Sequence, residues 1–411
     1  MDRNKRQGGS IPQRRRTSVT RNRRSGGRRR ASGENSQKPG GRGRKMPGVF
    51  QQQQRPGIRQ LAPVIAGGGG SGGGTTGGSG RGGAVGVGGG TTTSSMRSSK
   101  PGYSKLPPTP NVIAFVTDAT RKGIAGLQKE FRENKLYSPQ DRSVTQFDAH
   151  KDKNRYLDVH CLDRTRVVLR DNPNGNHYIH ASWVSGGALK FICTQGPKEN
   201  TFDDFWHMVW QEDVMEVVML CDLRENDRVK CGQYWPSEKN TTLVFGDYSV
   251  CAQRIDSVYL AGHINCKTTT LELTKSNCAP RTVYHVYWPN WPDRGVPHDG
   301  RAILKLRRRL MRKSGSTPVV VHCSAGIGRT GTLVMVDVCM KRMEDKEPVD
   351  VLAVYKLVRD QRMHSIQTEQ QYLFVYKAML DYAAFKYRYE MKDSKYNELQ
   401  SELLKACQAT G

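Results

Sequence analysis

Cys323 and Arg329 are separated by five residues in Val-Val-Val-His-Cys-Ser-Ala-Gly-Ile-Gly-Arg-Thr-Gly, residues 319–331 of the 411-residue chain. Four of the five intervening residues, Ser324, Ala325, Gly326 and Gly328, are small, and only Ile327 is bulky. Such a segment can curl tightly and aim successive backbone N–H groups at one point, which makes a cradle for a phosphate. A helix N-terminus behind the cradle adds partial positive charge and favours a thiolate at Cys323. Arg329 can take two equatorial phosphate oxygens through its planar fork. The Thr330 hydroxyl can hydrogen-bond the sulfur and help it leave. A free cysteine is more often a buried structural residue. Here the glycine spacing, the arginine and the helix start coincide, and together they point to a nucleophile.

These residues need a strand, a loop and a helix to position them. Val319 to Val321 is an apolar run that delivers His322 and Cys323 to the turn, and a helical pattern begins near Arg329 with Val334, Val338 and Met343 on one face. The Cys-x5-Arg run, with His322 before it and Thr330-Gly331 after it, resembles the signature loop of the tyrosine-specific cysteine phosphatases.

The same family accounts for a second stretch, Trp288-Pro-Asn-Trp-Pro-Asp-Arg-Gly-Val-Pro297, ending 26 residues upstream of Cys323. Phosphoryl transfer to a thiolate needs a proton for the departing phenolate, and a carboxylic acid on a movable loop can supply it while closing over the substrate. Asp293 is the candidate, with Trp291 as the loop's apolar anchor and Gly295 as a hinge. Lys153-Asn-Arg-Tyr-Leu-Asp-Val159 resembles the family's phosphotyrosine-recognition loop. There the resemblance makes Tyr156 one wall of a deep slot and gives Asp158 the substrate backbone. It also implies that Glu225 holds the Arg329 guanidinium, that Lys230 approaches the acid loop, and that Gln367, with Gln371 nearby, positions the hydrolytic water.

His177-Tyr-Ile-His-Ala-Ser182 is similar to the family's Asp-Tyr-Ile-Asn-Ala-Ser, with histidine at two positions. His364 stands where some members carry a small residue, so its bulk is expected to narrow a neighbouring pocket. Phe191 to Pro197 reads as a strand, and Thr201 to Trp210 as an amphipathic helix burying Phe205, Trp206 and Trp210. Ile113, Val116, Ile124, Leu127 and Phe131 recur at helical spacing and open the folded segment. Short strands are expected at Thr165 to Leu169, from Tyr178, at Val217 to Leu220, Leu243 to Val250, Arg254 to Leu260, Thr268 to Leu273 and Thr282 to Trp288. Helices are expected from Val351 to Arg359 and from Tyr372 through Met379. Residues 386–406 read as a terminal helix with a Tyr396, Leu399, Leu403 stripe, packing loosely or fraying. The fold class expected is α/β, with a central mixed, highly twisted sheet flanked by helices.

Composition divides the chain. Residues 1–110 hold 22 Lys/Arg against Asp2 and Glu34, leaving 43 basic and 36 acidic residues for the rest, so most of the net +27 sits in that stretch. With a Gly/Ser/Thr-rich run over residues 67–93 and few aromatics, residues 1–110 cannot bury enough apolar surface to offset chain entropy. They are expected to form a disordered tail, followed by a catalytic domain at 111–385 and a helical extension at 386–411. The tail's basic clusters suit acidic partners, nucleic acid or anionic lipid, and Ser18 and Ser32 follow arginine runs of the kind read by basic-directed kinases. No apolar run reaches membrane-spanning length, and the N-terminus lacks a signal-type apolar stretch. All ten cysteines lie between Cys161 and Cys407 without a disulfide framework, which fits reduced thiols in a cytoplasmic or nuclear setting.

The expectation is thus a single-domain, non-receptor protein tyrosine phosphatase acting on phosphotyrosine proteins through a cysteinyl-phosphate. It calls for no metal and no cofactor, because the loop amides and Arg329 carry the charge stabilisation. The competing reading is a phosphotyrosine-binding module that turns over little; such members usually lack the cysteine, the acid or the arginine, and this chain keeps all three.

Overall fold

A computed structural model of the protein describes residues 106–261, 264–387 and 394–408. The expected tail, including Ser18 and Ser32, lies outside the described residues except at its C-terminal edge.

The strands are β1 (Arg166–Val168), β2 (Tyr178–Val184), β3 (Phe191–Thr194), β4 (Glu216–Met219), β5 (Arg224–Glu225), β6 (Arg228–Val229), β7 (Thr242–Phe245), β8 (Tyr248–Tyr259), β9 (Asn265–Lys275), β10 (Arg281–Tyr287) and β11 (Val319–His322). Nine of them form one sheet in the order β1-β2-β3-β11-β4-β10-β9-β8-β7, and β5 and β6 form a separate hairpin. The four central strands β3, β11, β4 and β10 are parallel, while the outer pairs are antiparallel. The sheet is mixed, as expected. Buried on both faces, a central parallel strand reads as an unbroken apolar run, which is how Val319, Val320 and Val321 read. Their strand ends at His322, level with Thr194 of β3 and Met219 of β4. The following loop therefore leaves from the carboxyl edge of the sheet's centre, where α/β folds place ligands.

The helices are α1 (Pro110–Asn134), α2 (Thr145–Ala149), α3 (Phe202–Gln211), α4 (Gly300–Lys313), α5 (Gly328–Glu344), α6 (Val351–Gln361), α7 (Glu369–Lys386) and α8 (Ser394–Gln408). Helix α5 follows the cradle directly and is buried on nearly every side rather than on one face, because α4, α6, α7 and the sheet all pack against it. Val334, Val338 and Met343 are part of that burial, not its limit.

Several local expectations are corrected by tertiary context. In α1, Ile113 points outward at 44 % exposure, and Val112, Phe115 and Val116 carry the buried face; the helix also changes direction at Gly123, whose φ is 59°. Trp210 is only half-buried and lies under the Arg281 guanidinium, 3.9 Å from the ring centroid. Residues 243–250 are two strands joined by a turn at Gly246, whose φ is 53°, rather than one. The terminal helix does not pack loosely: Tyr396, Leu399 and Leu403 are each at most 1 % exposed, seated against α1 and α7. Helix α4 is not among the expected elements. Its basic run conceals an amphipathic pattern, with Ala302, Ile303, Leu306 and Leu310 buried and Arg307 paired internally to Asp337 and Glu344.

Candidate active site

Strand β11 and helix α5 present the cradle between them. Gly326 has φ 71°, and a Cβ there would fall 2.0 Å from the Thr194 carbonyl oxygen, so only glycine fits. Cys323 is 3 % exposed at the base, and the Gly326 N–H donates to its sulfur at 3.3 Å. Burial alone would push this thiol up. The Arg329 charge, the Thr330 hydroxyl and N–H, and the Gly326 N–H outweigh burial and bring it below the ordinary value. The Thr330 hydroxyl is buried and completes no standard hydrogen bond within the protein.

Arg329 is 2 % exposed and is held on two sides. It forks onto Glu225, Nη1 to Oε1 at 2.5 Å and Nη2 to Oε2 at 3.1 Å, and it donates to the Trp291 carbonyl at 2.8 Å and to Asp293 Oδ1 at 3.3 Å. Glu225 arrives on the β5–β6 hairpin, whose turn residues Asn226 and Asp227 are both left-handed, with φ 47° and 59°. That is the backbone a two-residue hairpin turn requires.

The acid loop meets this arrangement through Trp291 and Asp293. Lys230 Nζ bonds Asp293 Oδ2 at 2.6 Å, and Trp291 is buried against Trp288 with ring centroids 4.9 Å apart and its Nε1–H on the Gly295 carbonyl. Burial would raise the Asp293 carboxyl, but the Lys230 hydrogen bond and the charges of Arg329, Lys230 and Arg294 hold it below the usual carboxylate range. This group is therefore ionised near neutral pH.

His322 is fully buried. Its Nδ1–H donates to the Cys323 carbonyl at 3.1 Å, Tyr234 donates its hydroxyl to Nε2 at 2.6 Å, and the Tyr234 oxygen accepts from His285 Nε2 at 2.7 Å. One set of tautomers fills all three contacts, with both imidazoles neutral. Burial, helped by the Arg155 and Arg329 charges, pushes the His322 pKa down to about 4.

The recognition loop forms the flank. The Tyr156 hydroxyl lies 2.8 Å from Ser324 Oγ, which itself donates to the Lys230 carbonyl at 2.9 Å, and the Tyr156 ring packs on Val159, Ala325 and Ile327. Asp158 is exposed and lines an open cleft of about 350 Å³ with Lys135, Arg294, Ile327, Arg359, His364, Gln367 and Thr368. Gln367 and Gln371 meet behind Gly328: a Cβ on that glycine would lie 2.5 Å from Gln367 Oε1 and 2.9 Å from Gln371 Nε2. Gln371 is buried, accepts from the Gln367 N–H at 2.9 Å, and leaves its Nε2 without a partner. Cys323, Arg329, Thr330, Asp293, Trp291, Glu225, Lys230, His322, Tyr156, Asp158, Gln367 and Gln371 are therefore brought to one site, whereas His177 lies apart from it with Nε2 3.0 Å from Gln146 Oε1.

Residues that sequence reasoning missed support the cradle from behind. Arg362 is 1 % exposed with no carboxylate on it. It donates to the carbonyls of Gly326 at 3.2 Å and Ala325 at 3.1 Å, to Ser182 Oγ and to His180 Nδ1. His180 in turn donates from Nε2 to the Val159 carbonyl at 2.8 Å, tying the recognition loop to the cradle. Burial and the Arg362 charge depress its pKa to about 3, so it stays neutral. Arg155 likewise donates to the Gly196 and Pro197 carbonyls. The histidine at position 180 was visible as an oddity in the sequence; Arg362 carried no signal.

Comparison with known proteins bears on the same region. The profile of the protein-tyrosine phosphatase family matches residues 150–381, more than half the chain. Mouse tyrosine-protein phosphatase non-receptor type 9 is 39 % identical over 292 residues, covering 66 % of this chain and 48 % of that protein. The Lar-like tyrosine-protein phosphatase of Caenorhabditis elegans is 38 % identical over 62 % of this chain and 12 % of its own length. Human receptor-type tyrosine-protein phosphatase C is 37 % identical over 57 % of this chain and 18 % of its own length. The chain thus spans less than half the length of these curated relatives.

Proposed function

Because the chain belongs to the protein-tyrosine phosphatase family, we propose that it hydrolyses phosphotyrosine in proteins by double displacement at Cys323. The observation that carries the reading is the placement of a buried, acidified thiol at the N-terminus of α5 with the Arg329 fork beside it. The Cys323 thiolate attacks phosphorus, forming a P–S bond as the P–O bond to the tyrosine breaks. The loop amides of residues 324–328 and Arg329 stabilise the equatorial oxygens. Asp293 gives its proton to the leaving phenolate. Gln367 and Gln371 then hold a water that attacks the thiophosphate phosphorus, Asp293 takes the water's proton, and inorganic phosphate leaves.

Asp293 must be protonated for the first step, although its resting ion pairs keep it ionised. An incoming phosphate dianion competes for Arg329 and adds negative charge beside the carboxyl, and both effects raise its pKa. Substrate entry is therefore what arms the acid. Tyr156 walls the slot, whose depth admits a phenyl phosphate and excludes the shorter phosphoserine, and Asp158 receives the substrate backbone.

The catalytic unit is assigned to residues 111–385, with residues 386–411 as a helical extension of it. Among the described residues no helix is long and apolar enough to cross a membrane. The basic residues 1–110 are assigned to contacts with acidic partners, nucleic acid or anionic lipid, adjustable by phosphorylation at Ser18 and Ser32. A non-receptor enzyme of the cytoplasm or nucleus is the setting that fits this reading.

The test is hydrolysis of para-nitrophenyl phosphate and a phosphotyrosine peptide in the presence of chelator. Turnover should persist, vanish in Cys323→Ser and leave a cysteinyl-phosphate trappable by acid quench. Peptide binding without turnover in the parent protein would overturn the reading in favour of a binding module.

A further inference from the structure

The nine-stranded sheet is left open along part of one edge. Its last strand, β7, pairs with β8 only as far as Cys251, opposite Thr242, and Ala252 ends the contact with backbone hydrogen bonds to Asn240 and Thr241. Strand β8 runs on to Tyr259 with β9 along its other side. Among the described residues, 253–259 pair with β9 alone, so this half of β8 is an edge strand.

The unused backbone groups can be assigned. The Leu260 N–H donates to the Ile264 carbonyl at 2.9 Å, on the β9 side. Residues of an antiparallel strand turn their N–H and C=O groups to alternate sides, so Arg254, Asp256 and Val258 face β9, while Ile255, Ser257 and Tyr259 face outward. An open row of donors and acceptors is a template for another strand. The side chains along it are accessible: Ile255 is 37 % exposed, and Arg254 and Asp256 form an exposed ion pair at 2.8 Å on the opposite face.

We propose that two copies of the chain associate through this edge, β8 antiparallel to β8, with the two-fold axis at Ile255. The order of the residues selects the partner. With the axis there, the two Ile255 residues exchange both backbone hydrogen bonds, Gln253 of each copy lies opposite Ser257 of the other, and Arg254 of each lies opposite Asp256 of the other. The Arg–Asp positions are the non-hydrogen-bonded ones, where facing side chains come closest. Moving the axis by one residue would instead set Asp256 against Asp256 or Arg254 against Arg254. Charges on an edge strand ordinarily keep other strands away. Here two opposite charges, one on each side of the axis, disfavour those registers and favour a second copy of this chain. The bend where the β8–β9 register shifts, between Ala252 and Arg254, together with β7 beyond it, confines the pairing to about residues 253–257. Four strand spacings, about 19 Å, separate β8 from β11, so the cradle stays outside the interface.

The test is sedimentation equilibrium of the full chain over about a 100-fold range of concentration, at about 0.15 M salt to screen repulsion between chains of net charge +27. A monomer–dimer equilibrium is expected. Ile255→Pro removes the outward N–H without removing a ladder bond to β9, and Arg254→Glu or Asp256→Arg puts like charges across the axis. Each should weaken dimerisation by about tenfold or more. Mixing the Arg254→Glu and Asp256→Arg chains makes both cross-strand pairs attractive again, so a one-to-one heterodimer should form although each chain alone dimerises poorly. That rescue cannot come from a variant that has merely failed to fold. A parent chain that stays monomeric throughout would overturn the proposal and leave the edge to an extended peptide of another protein. A dimer that survives Ile255→Pro unchanged, or reversed chains that do not associate when mixed, would also overturn it.

Discussion

The cradle and the acid loop both meet Arg329 and are built by different means. The cradle is held by backbone: Arg362 takes two of its carbonyls, the Gly196 N–H takes the Ser324 carbonyl at 2.9 Å, and Gly326 is pressed against Thr194. At its acidic tip the acid loop is held by charges, with Asp293 one-third exposed between Lys230 and Arg329 and Arg294 left-handed at φ 58°, while buried Trp291 anchors its base. Contacts of the first kind cannot be given up piecemeal, because each leaves a buried polar group unpaired. Contacts of the second kind can be exchanged for water or for a phosphate. The part that must match a transition state is rigid, and the part that must open for substrate is fastened by bonds that substrate itself can replace.

This contrast can be broken from the cradle side first. Gly326→Ala forces a Cβ onto the Thr194 carbonyl and should lower kcat by roughly 100-fold or more, measured on para-nitrophenyl phosphate. Asp293→Ala should cut kcat by about 10²- to 10⁴-fold on a phosphotyrosine peptide while leaving phosphopeptide affinity within a few-fold, because the cradle is untouched. Arg362→Met removes the support without touching substrate. It should cost on the order of 3 kcal/mol of stability, read by denaturant unfolding, and lower kcat about tenfold. If kcat held while stability fell, the cradle would be shown to keep its shape without support from behind.

Lys230→Ala sharpens the other half. Removing this cation lets the Asp293 carboxyl rise, and the acid must be protonated to act, so the basic limb of the kcat profile should move to higher pH with only a few-fold change at the optimum. An unmoved limb would mean that Lys230 does not set the acid.

The smallest effect is on stability. His180, His322 and His364 have pKa values pushed by burial to about 3, 4 and 4, against an ordinary 6.5. The unfolded chain binds protons on these groups that the folded chain refuses. Their contribution is complete above pH 6.5 and is lost as pH falls through about 4. Tm should decline over that window, and His364→Gln, at the cleft, should flatten the decline slightly.

The sequence revealed most where the physics is local. The strand, the glycine-rich turn and the helix start around Cys323 are consecutive, so spacing alone exposes them; so does the Trp-Pro-Asp turn. What it could not reveal depends on distant partners. Arg362 looks like any surface arginine, since Ser182 and His180, which it binds, lie about 180 residues away. Ile113 fits the helical period as well as Val112 does, and only the packing of α1 on α7 and α8 decides which faces inward. Helix α4 was obscured because basic residues suggest a solvated stretch, and the carboxylates that bury Arg307 come from α5. The Tyr234 link between two histidines joins three separate segments, and no periodicity announces it.

Arg362 also bears on how portable the phosphate-binding loop is. By drawing the Ala325 and Gly326 carbonyls backward, it fixes the orientation of the peptide planes that carry the next N–H groups. Residues 322–330 grafted onto another strand–helix junction would bring the thiol and the Arg329 fork but not that pull, and the transplanted peptides would be free to rotate. A minimal mimic of this site therefore needs a tenth residue, drawn from a different part of the chain.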